Sequence, residues 1–464
     1  MTIRAVTNVV SAYLLKMKAY EEASNTVERL TGYDSITGLY KYEKFLSLIS
    51  EYIENAPHGN YAIAYVDFSN FKYINENYGY ETGDKILRDF ADRISSYKDI
   101  TIFASRVFSD NIVSLLNLGE CVEGDLIFSL QKASGEFAKK IQSEYLDSNL
   151  IIDIGICPFK IDGSPVPIKN IISNANLARK EAKLPDRPRC IIYNDSMGQK
   201  LNQEVAYAND MENAFKNKEF VVYLQPKVNL KNNAIDGAEA LVRWKKKDGT
   251  IIYPNDFIPV FEKNKTITLL DYYVYAEVCK YLAGKLKNEE EMVCISVNVS
   301  RVHLYSIRQM VSYVRSLLNK YKIPPELLEF ELTETVFTDK VDDTILLMNE
   351  LRKLGVKVSM DDFGSGYSSL NVLTKLPIDV LKLDKDFLKD FEMDSEEKII
   401  IPSIVDMAKK MKLSVVCEGV ETNEQVKFLR EVGCDYAQGY YYSKPVPIPR
   451  FDELLIDSGF EELI

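Results

Sequence analysis

Apolar and polar positions divide the chain into two blocks behind a short N-terminal segment. From about residue 207 onward, short apolar runs of strand character alternate with segments repeating at helical spacing. The strand candidates are 220–224, 238–244, 293–299, 328–332, 357–360, 380–383, 414–417 and 438–442. Eight such units in roughly 250 residues predict a TIM-like (β/α)8 barrel, a fold that places its chemistry at the C-terminal ends of its strands. The first block runs from about 31 to 190 and ends in the proline-interrupted stretch Leu184-Pro185-Asp186-Arg187-Pro188-Arg189, which suits a domain edge. The organisation expected is an N-terminal helix over 1–30, a domain over 31–190, a linker over 191–206 and the barrel over 207–464. The N-terminal helix is amphipathic, with Val10, Leu14, Met17 and Ala23 towards one side. Its apolar run, 9–15, is too short to span a bilayer and is broken by Ser11. It also lacks a signal-peptide cleavage pattern.

The polar residues on the barrel strands change the picture. The segment Val358-Ser359-Met360-Asp361-Asp362-Phe363-Gly364-Ser365-Gly366-Tyr367 sets two adjacent carboxylates at the end of an apolar strand, followed at once by glycines. Alone, Asp and Gly in that order read as an acidic turn. Across the barrel, however, the strands or their ends deliver Glu239, Asn298, Glu331, Asp361 with Asp362, Lys382 with Asp384, Glu418 and Gln438. Polar strand ends of any barrel would include many Ser and Thr, and repeated carboxylates are poorly explained that way. Converging acids at a barrel mouth point to a cation site.

Composition narrows the chemistry. Formal net charge is -12, which argues against broad phosphate-driven binding of DNA or RNA but leaves room for a small nucleotide bridged by metals. The cysteines, Cys121, Cys157, Cys190, Cys279, Cys294, Cys417 and Cys434, are odd in number, form no CxxC pair and mostly sit in apolar runs. This pattern suits free thiols in a reducing cytoplasm. Only His58 and His303 are present, so a metal must be held by Asp, Glu and Asn, which favours Mg²⁺, Mn²⁺ or Ca²⁺ over zinc.

These residues stand in an ordered set of motifs: Glu239-Ala240-Leu241 within Ala238 to Trp244, Ser296-Val297-Asn298-Val299-Ser300, Glu331-Leu332-Thr333-Glu334, Asp361-Asp362-Phe363-Gly364, Leu381-Lys382-Leu383-Asp384, Glu418-Gly419-Val420-Glu421 and Gln438-Gly439. The set resembles the EAL family of cyclic di-GMP phosphodiesterases over essentially the whole second block. The resemblance implies two Mg²⁺ or Mn²⁺ ions held by Glu239, Asn298, Glu331, Asp361, Asp362 and Glu418. Such ions clamp a phosphodiester and activate water. It further implies a catalytic set of Lys382, Glu418 and Glu334. Lys382 would position the water or offset transition-state charge, and Glu334 would anchor the glycine-bearing loop after Asp362. Gln225, Leu241, Arg243, Asp384, Glu421 and Gln438 match substrate-contact positions, and the implied product is linear pGpG.

In the first block, Asp34-Ser35-Ile36-Thr37-Gly38-Leu39, Val66-Asp67-Phe68-Ser69-Asn70-Phe71-Lys72 and the stretch from Ala175 to Lys183 resemble a GGDEF domain, the diguanylate cyclase fold. The resemblance implies an α+β domain with a central, largely antiparallel sheet. The signature loop is altered: Phe108-Ser109-Asp110-Asn111-Ile112 stands where the family has Gly-Gly-Asp-Glu-Phe. Phe108 and Ser109 put side chains where glycines allow close approach, and the Asn111 amide cannot accept a proton as an acid would. Asp67 and Asp110 keep two metal-ligand positions, and Asn75 and Asp84 the guanine-reading ones. The family's inhibitory Arg-x-x-Asp site is replaced by residues 99–102. The expectation is a cytoplasmic phosphodiesterase, homodimeric, whose first domain has lost cyclase activity and regulates or dimerises. GTP is a candidate ligand there through Asn75, Asp84, Asp67, Lys183 and Arg187, with Phe108 placed to fill the pocket. The alternative is a non-hydrolysing cyclic di-GMP receptor acting through protein contacts.

Overall fold

The computed structural model describes residues 16–18, 31–120, 123–185, 187–334, 336, 340–364, 373–389 and 397–456. The helix expected over 1–30 lies outside these except at 16–18, and the loop beyond Gly364 lies outside them over 365–372. The chain divides into two compact units, Met1–Gln203 and Glu204–Ile464.

The first unit is built on a six-stranded sheet, β1 (Tyr40–Lys41), β2 (Gly59–Ser69), β3 (Thr101–Phe108), β4 (Asn111–Asn117), β5 (Ile151–Ile161) and β6 (Cys190–Ile192), in the order β1-β3-β4-β2-β5-β6. The four central strands are antiparallel to their neighbours, while the short edge strands pair in parallel. Period-two alternation along β2 divides the core. Tyr61, Ile63 and Tyr65 face a cluster with Phe45, Ile49, Ile171 and Ile172. Ala62, Val66 and Phe68 face Phe90, Leu126 and Phe137 from the other helices. The stretch expected as a linker is regular: its first residues complete β6 and the helix Asp195–Lys216 begins soon after.

The second unit is a closed barrel. Its strands are β7 (Phe220–Asn229), β8 (Ile235–Lys245), β10 (Cys294–Asn298), β11 (Leu328–Thr333), β12 (Lys357–Phe363), β13 (Val380–Leu383), β14 (Ser414–Cys417) and β15 (Tyr436–Ala437), with β9 (Ile251–Ile252) and β16 (Val446–Pro447) added outside the ring. Seven strands run parallel, but β7 is antiparallel to both β8 and β15. No helix separates β7 from β8, so their hairpin departs from strict β/α alternation. The eighth strand also lies earlier than the sequence pattern suggested: Tyr436 and Ala437 make the ladder, and Gln438 onward forms a turn. Gly439 explains the turn, since a Cβ there would sit 2.1 Å from the Val420 carbonyl oxygen. The foot of the β7–β8 hairpin is fixed by buried Trp244, packed on Phe220, Phe257 and Phe261 and donating Nε1–H to Glu219 at 3.0 Å.

Candidate metal centre and active site

Parallel strands with alternating side chains deliver the predicted acids to one point inside the barrel. Glu331 of β11, Asp361 of β12 and Lys382 of β13 point inward between apolar neighbours. Lys382 is fully buried, and its Nζ lies 2.6 Å from Glu418, 2.7 Å from Glu331, 2.9 Å from Asp361 and 3.6 Å from Glu239. Asn298 donates Nδ2–H to Glu239 Oε1 at 2.8 Å, and Gln438 donates Nε2–H to Glu239 Oε2 at 2.7 Å and to Gln225 Oε1 at 3.1 Å. Glu239 is thereby held from two sides.

Adjacent strand residues ordinarily point to opposite faces. Asp362 escapes that rule because its backbone is left-handed, φ 54°, at a register shift between Met360 and Phe363. Asp361 and Asp362 therefore both offer oxygens to the site. Two carboxylate groupings result, Glu239–Glu331–Asp361 and Asp361–Asp362–Glu418, each with ligand atoms within 4.8 Å of one another and with Asp361 common to both. Gly364 follows at φ +99°, where a Cβ would meet the Phe387 ring at 2.2 Å. Its N–H donates to Glu334 Oε2 at 2.8 Å, while the Glu334 N–H donates to the Asp361 carbonyl at 3.0 Å. Glu334 thus ties the start of the following segment to β12.

Sequence reasoning missed Lys227. It is buried, with Nζ 2.8 Å from Glu331 Oε1 and 3.2 Å from Glu329 Oε1. The signal was present: Gln225 and Lys227 alternate inward along β7, and Glu329 and Glu331 along β11.

Electrostatics follow from this packing. Burial would raise the Glu331 carboxyl, but Lys227 and Lys382 outweigh it and hold the group down to about 2. Burial pushes Glu418 up to about 7, with Lys382 opposing and Glu239 adding to the rise. Asp361 and Asp362 are also raised, chiefly by burial. The Lys382 ammonium is held well above its ordinary value because Asp361, Glu239 and Glu331 outweigh its burial. Six carboxylates thus gather around two lysines, a formal charge of -4 that two divalent cations would cancel. The buried Glu418 Oε1, though close to Lys382, has no hydrogen bond of proper geometry. An all-oxygen donor set with a shared carboxylate fits two hard cations.

The remaining predicted residues divide. Gln225 and Gln438 join the cluster. Arg243 lies four residues beyond Glu239 on β8, flanked by the rings of Tyr223 at 5.7 Å and Tyr253 at 5.6 Å, and Leu241 lies two residues earlier on the strand. Asp384 lies beside Asp362 and caps a short helix through Asp386 N–H at 2.7 Å. Glu421 is exposed, outside both carboxylate groupings.

In the first unit the altered loop is a tight hairpin turn, with Ser109 at φ 49° and its carbonyl accepting from Arg106 Nε at 2.6 Å. Phe108 is 63% exposed and so does not fill a pocket as expected. The buried Asp67 carboxylate receives Lys183 at 2.6 Å and Arg179 at 2.9 Å, both on the same oxygen. Asn111 donates to Asp110 at 3.4 Å, Asn75 packs against Gly83, and Asp84 lies on the helix Tyr80–Ser96. Among the described residues, no grouping of three acids of metal-holding geometry occurs in this unit.

Comparison with known proteins agrees with this geometry. The family model for the EAL domain matches residues 208–445, and that for the diguanylate cyclase GGDEF domain matches 31–189. Signaling protein YkoW of Bacillus subtilis is 31% identical over 94% of this chain and 54% of its own length. Cyclic di-GMP phosphodiesterase NbdA of Pseudomonas aeruginosa is 30% identical over 94% of this chain and 55% of its own. The chain therefore spans about half the length of these curated relatives. Among solved structures, the PaMucR phosphodiesterase in complex with c-di-GMP is 32% identical, with TM-score 0.50 over 53% of this chain and 99% of that one. Vibrio cholerae LapD, as its S helix-GGDEF-EAL portion, shares the fold at 20% identity, with TM-score 0.56 over 91% of this chain and 99% of that one. The motifs, the barrel that gathers them and the matched family model lead to one assignment: the chain belongs to the EAL domain family and carries a GGDEF domain ahead of its EAL barrel.

Proposed function

We propose that the barrel hydrolyses cyclic di-GMP to linear pGpG with two Mg²⁺ or Mn²⁺ ions, and that the first domain is an inactive cyclase with a regulatory or dimerising role. The observation that carries this reading is the pair of carboxylate groupings sharing Asp361 around buried Lys382. Glu239, Asn298, Glu331, Asp361, Asp362 and Glu418 would hold the ions, whose chemistry is to draw charge from the phosphodiester and acidify water. Lys382, ringed by the same acids, keeps a fixed positive charge beside the reacting phosphorus as negative charge builds there. Arg243, on the same strand as Glu239 and between two tyrosine rings, suits the non-bridging phosphate oxygens. In the reaction a water oxygen bonds to phosphorus and the bond to the 3′ oxygen breaks. The 5′ phosphate stays on the product and the 3′ oxygen leaves with a proton. The phosphodiesterase names of NbdA and PaMucR support the substrate class.

The test is incubation with cyclic di-GMP and Mg²⁺ or Mn²⁺, followed by chromatography. Appearance of pGpG is the expected result. Tight binding without pGpG would overturn hydrolysis and select the receptor reading. Incubation with GTP alone should yield no cyclic di-GMP.

A further inference from the structure

One face of the first-unit sheet is incompletely filled. Between the centre of the sheet and the helices Tyr80–Ser96 and Glu123–Glu144 lies a cavity of about 200 Å³ with predominantly apolar walls. Small side chains leave the space. Ala64 of β2 and Ser114 of β4 are cross-strand partners at its floor, and Ala133 and Ser134 face them from the helix. Larger residues at those positions would close it, as close packing ordinarily does. Tyr97 and Ile100, both more than two-fifths exposed, mark its open side.

A second feature is polar. Ser114 is only 3% exposed, and its hydroxyl, open to the cavity, makes no hydrogen bond among the described residues. A water there would be poorly fixed, because an ordered buried water needs two to four polar partners and the walls are predominantly apolar. Arg93 at the wall is already paired with Glu136 at 3.0 Å, so the site does not demand an anion.

The cavity is separate from the altered GGDEF loop. Thr101 and Leu116, which line it, pair at the open end of the β3–β4 hairpin, whereas Phe108 and Asn111 pair at its turn.

We propose that this cavity binds a small uncharged aromatic molecule of one or two rings, with a single hydrogen-bonding group directed at Ser114. The volume accommodates such a body and the apolar walls favour it. The hydroxyl fixes its orientation.

The full chain is titrated with indole and with indene, a similar bicycle that lacks the N–H, by ligand-observed NMR. Indole binding is expected. Ser114→Ala should weaken indole about tenfold and leave indene unchanged, the difference one buried hydrogen bond makes. Ala133→Leu, which fills the space, should abolish binding of both, and Ala64→Val does the same from the sheet side should the first variant fail to fold. Absence of binding by either probe, persistence of binding in the filled variant, or equal effects of Ser114→Ala on both probes would overturn the proposal.

Discussion

Replacing Lys227 with methionine keeps most of the hydrocarbon stem but removes a buried cation of the barrel. Its Nζ lies 2.8 Å from Glu331 and 3.2 Å from Glu329, and the three side chains are 7%, 0% and 7% exposed. Burial would raise the Glu331 carboxyl above its ordinary 4.5, yet Lys227 and Lys382 bring it to about 2. A depression of that size corresponds to ~3 kcal/mol. Because the folded value lies below the unfolded one, this stability is present above pH ~4.5 and is lost as pH falls towards 2. Lys382 retains part of it in the variant, but Glu329 is left buried without its cation. Breaking a buried pair in this way costs ~3–5 kcal/mol, so a loss of that order is expected at pH 7. Urea unfolding followed by Trp244 fluorescence reads the barrel alone, since Trp244 is the single tryptophan of the chain and is buried there. In the variant the carboxyls are freed to take up protons, so the gap from wild type should narrow between pH 8 and pH 5. Lys227→Met with Glu329→Gln should recover part of the loss. Unchanged stability at pH 7, or a gap constant across that range, would refute the reasoning.

Glu239→Gln should abolish pGpG formation while cyclic di-GMP still binds by calorimetry, and a chelator should have the same effect until Mn²⁺ is returned. Glu334→Ala removes the acceptor of the Gly364 N–H and should lower kcat ~10–100-fold, whereas Glu334→Gln keeps an acceptor and should lose less. In metal-free protein the Glu418 carboxyl, raised by burial to about 7, binds its proton more tightly folded than unfolded. Stability should therefore fall as pH rises from 4.5 through 7, and Glu418→Gln should flatten that slope in thermal melts. Asp67→Ala strands Arg179, whose side chain is 10% exposed, and should cost the first unit ~3 kcal/mol, read as faster hydrogen exchange in β2 and β5.

The barrel and its acids were legible because period-two strands with carboxylates at their ends leave a local signal. Asp361 and Asp362 were visible as a pair, and the family resemblance put both in the site, but how two adjacent strand residues could face it together was not visible. That depends on a left-handed residue at a register shift, next to the close approach of Gly364 to Phe387. The reversal of β7 was hidden for a related reason, since hydrophobic alternation is the same read in either direction. Lys227 was overlooked because a lysine beside a turn-forming Asn-rich stretch looks solvated until the strand pairing puts it beneath Glu331. In the first unit, the pairing of Arg179 and Lys183 with Asp67 joins residues more than a hundred positions apart, which no local pattern reports.

The barrel closes on β15, a strand of only two residues. Tyr436 and Ala437 form its ladder with β14 on one side and β7 on the other, with flanking bonds from Gln438 to Cys417 and from Leu230 to Asp435, while β7 and β8 pair along most of their length. A cylinder hinged so broadly on one side and fastened so narrowly on the other behaves as a clasp. Local opening is then cheapest at the fastening, and the next residue, Gln438, carries the hydrogen bond that steadies Glu239. Opening of the seam would loosen Glu239 with it, so whatever grips or strains the turn after Ala437 would have a mechanical hold on the carboxylate cluster at the barrel's centre.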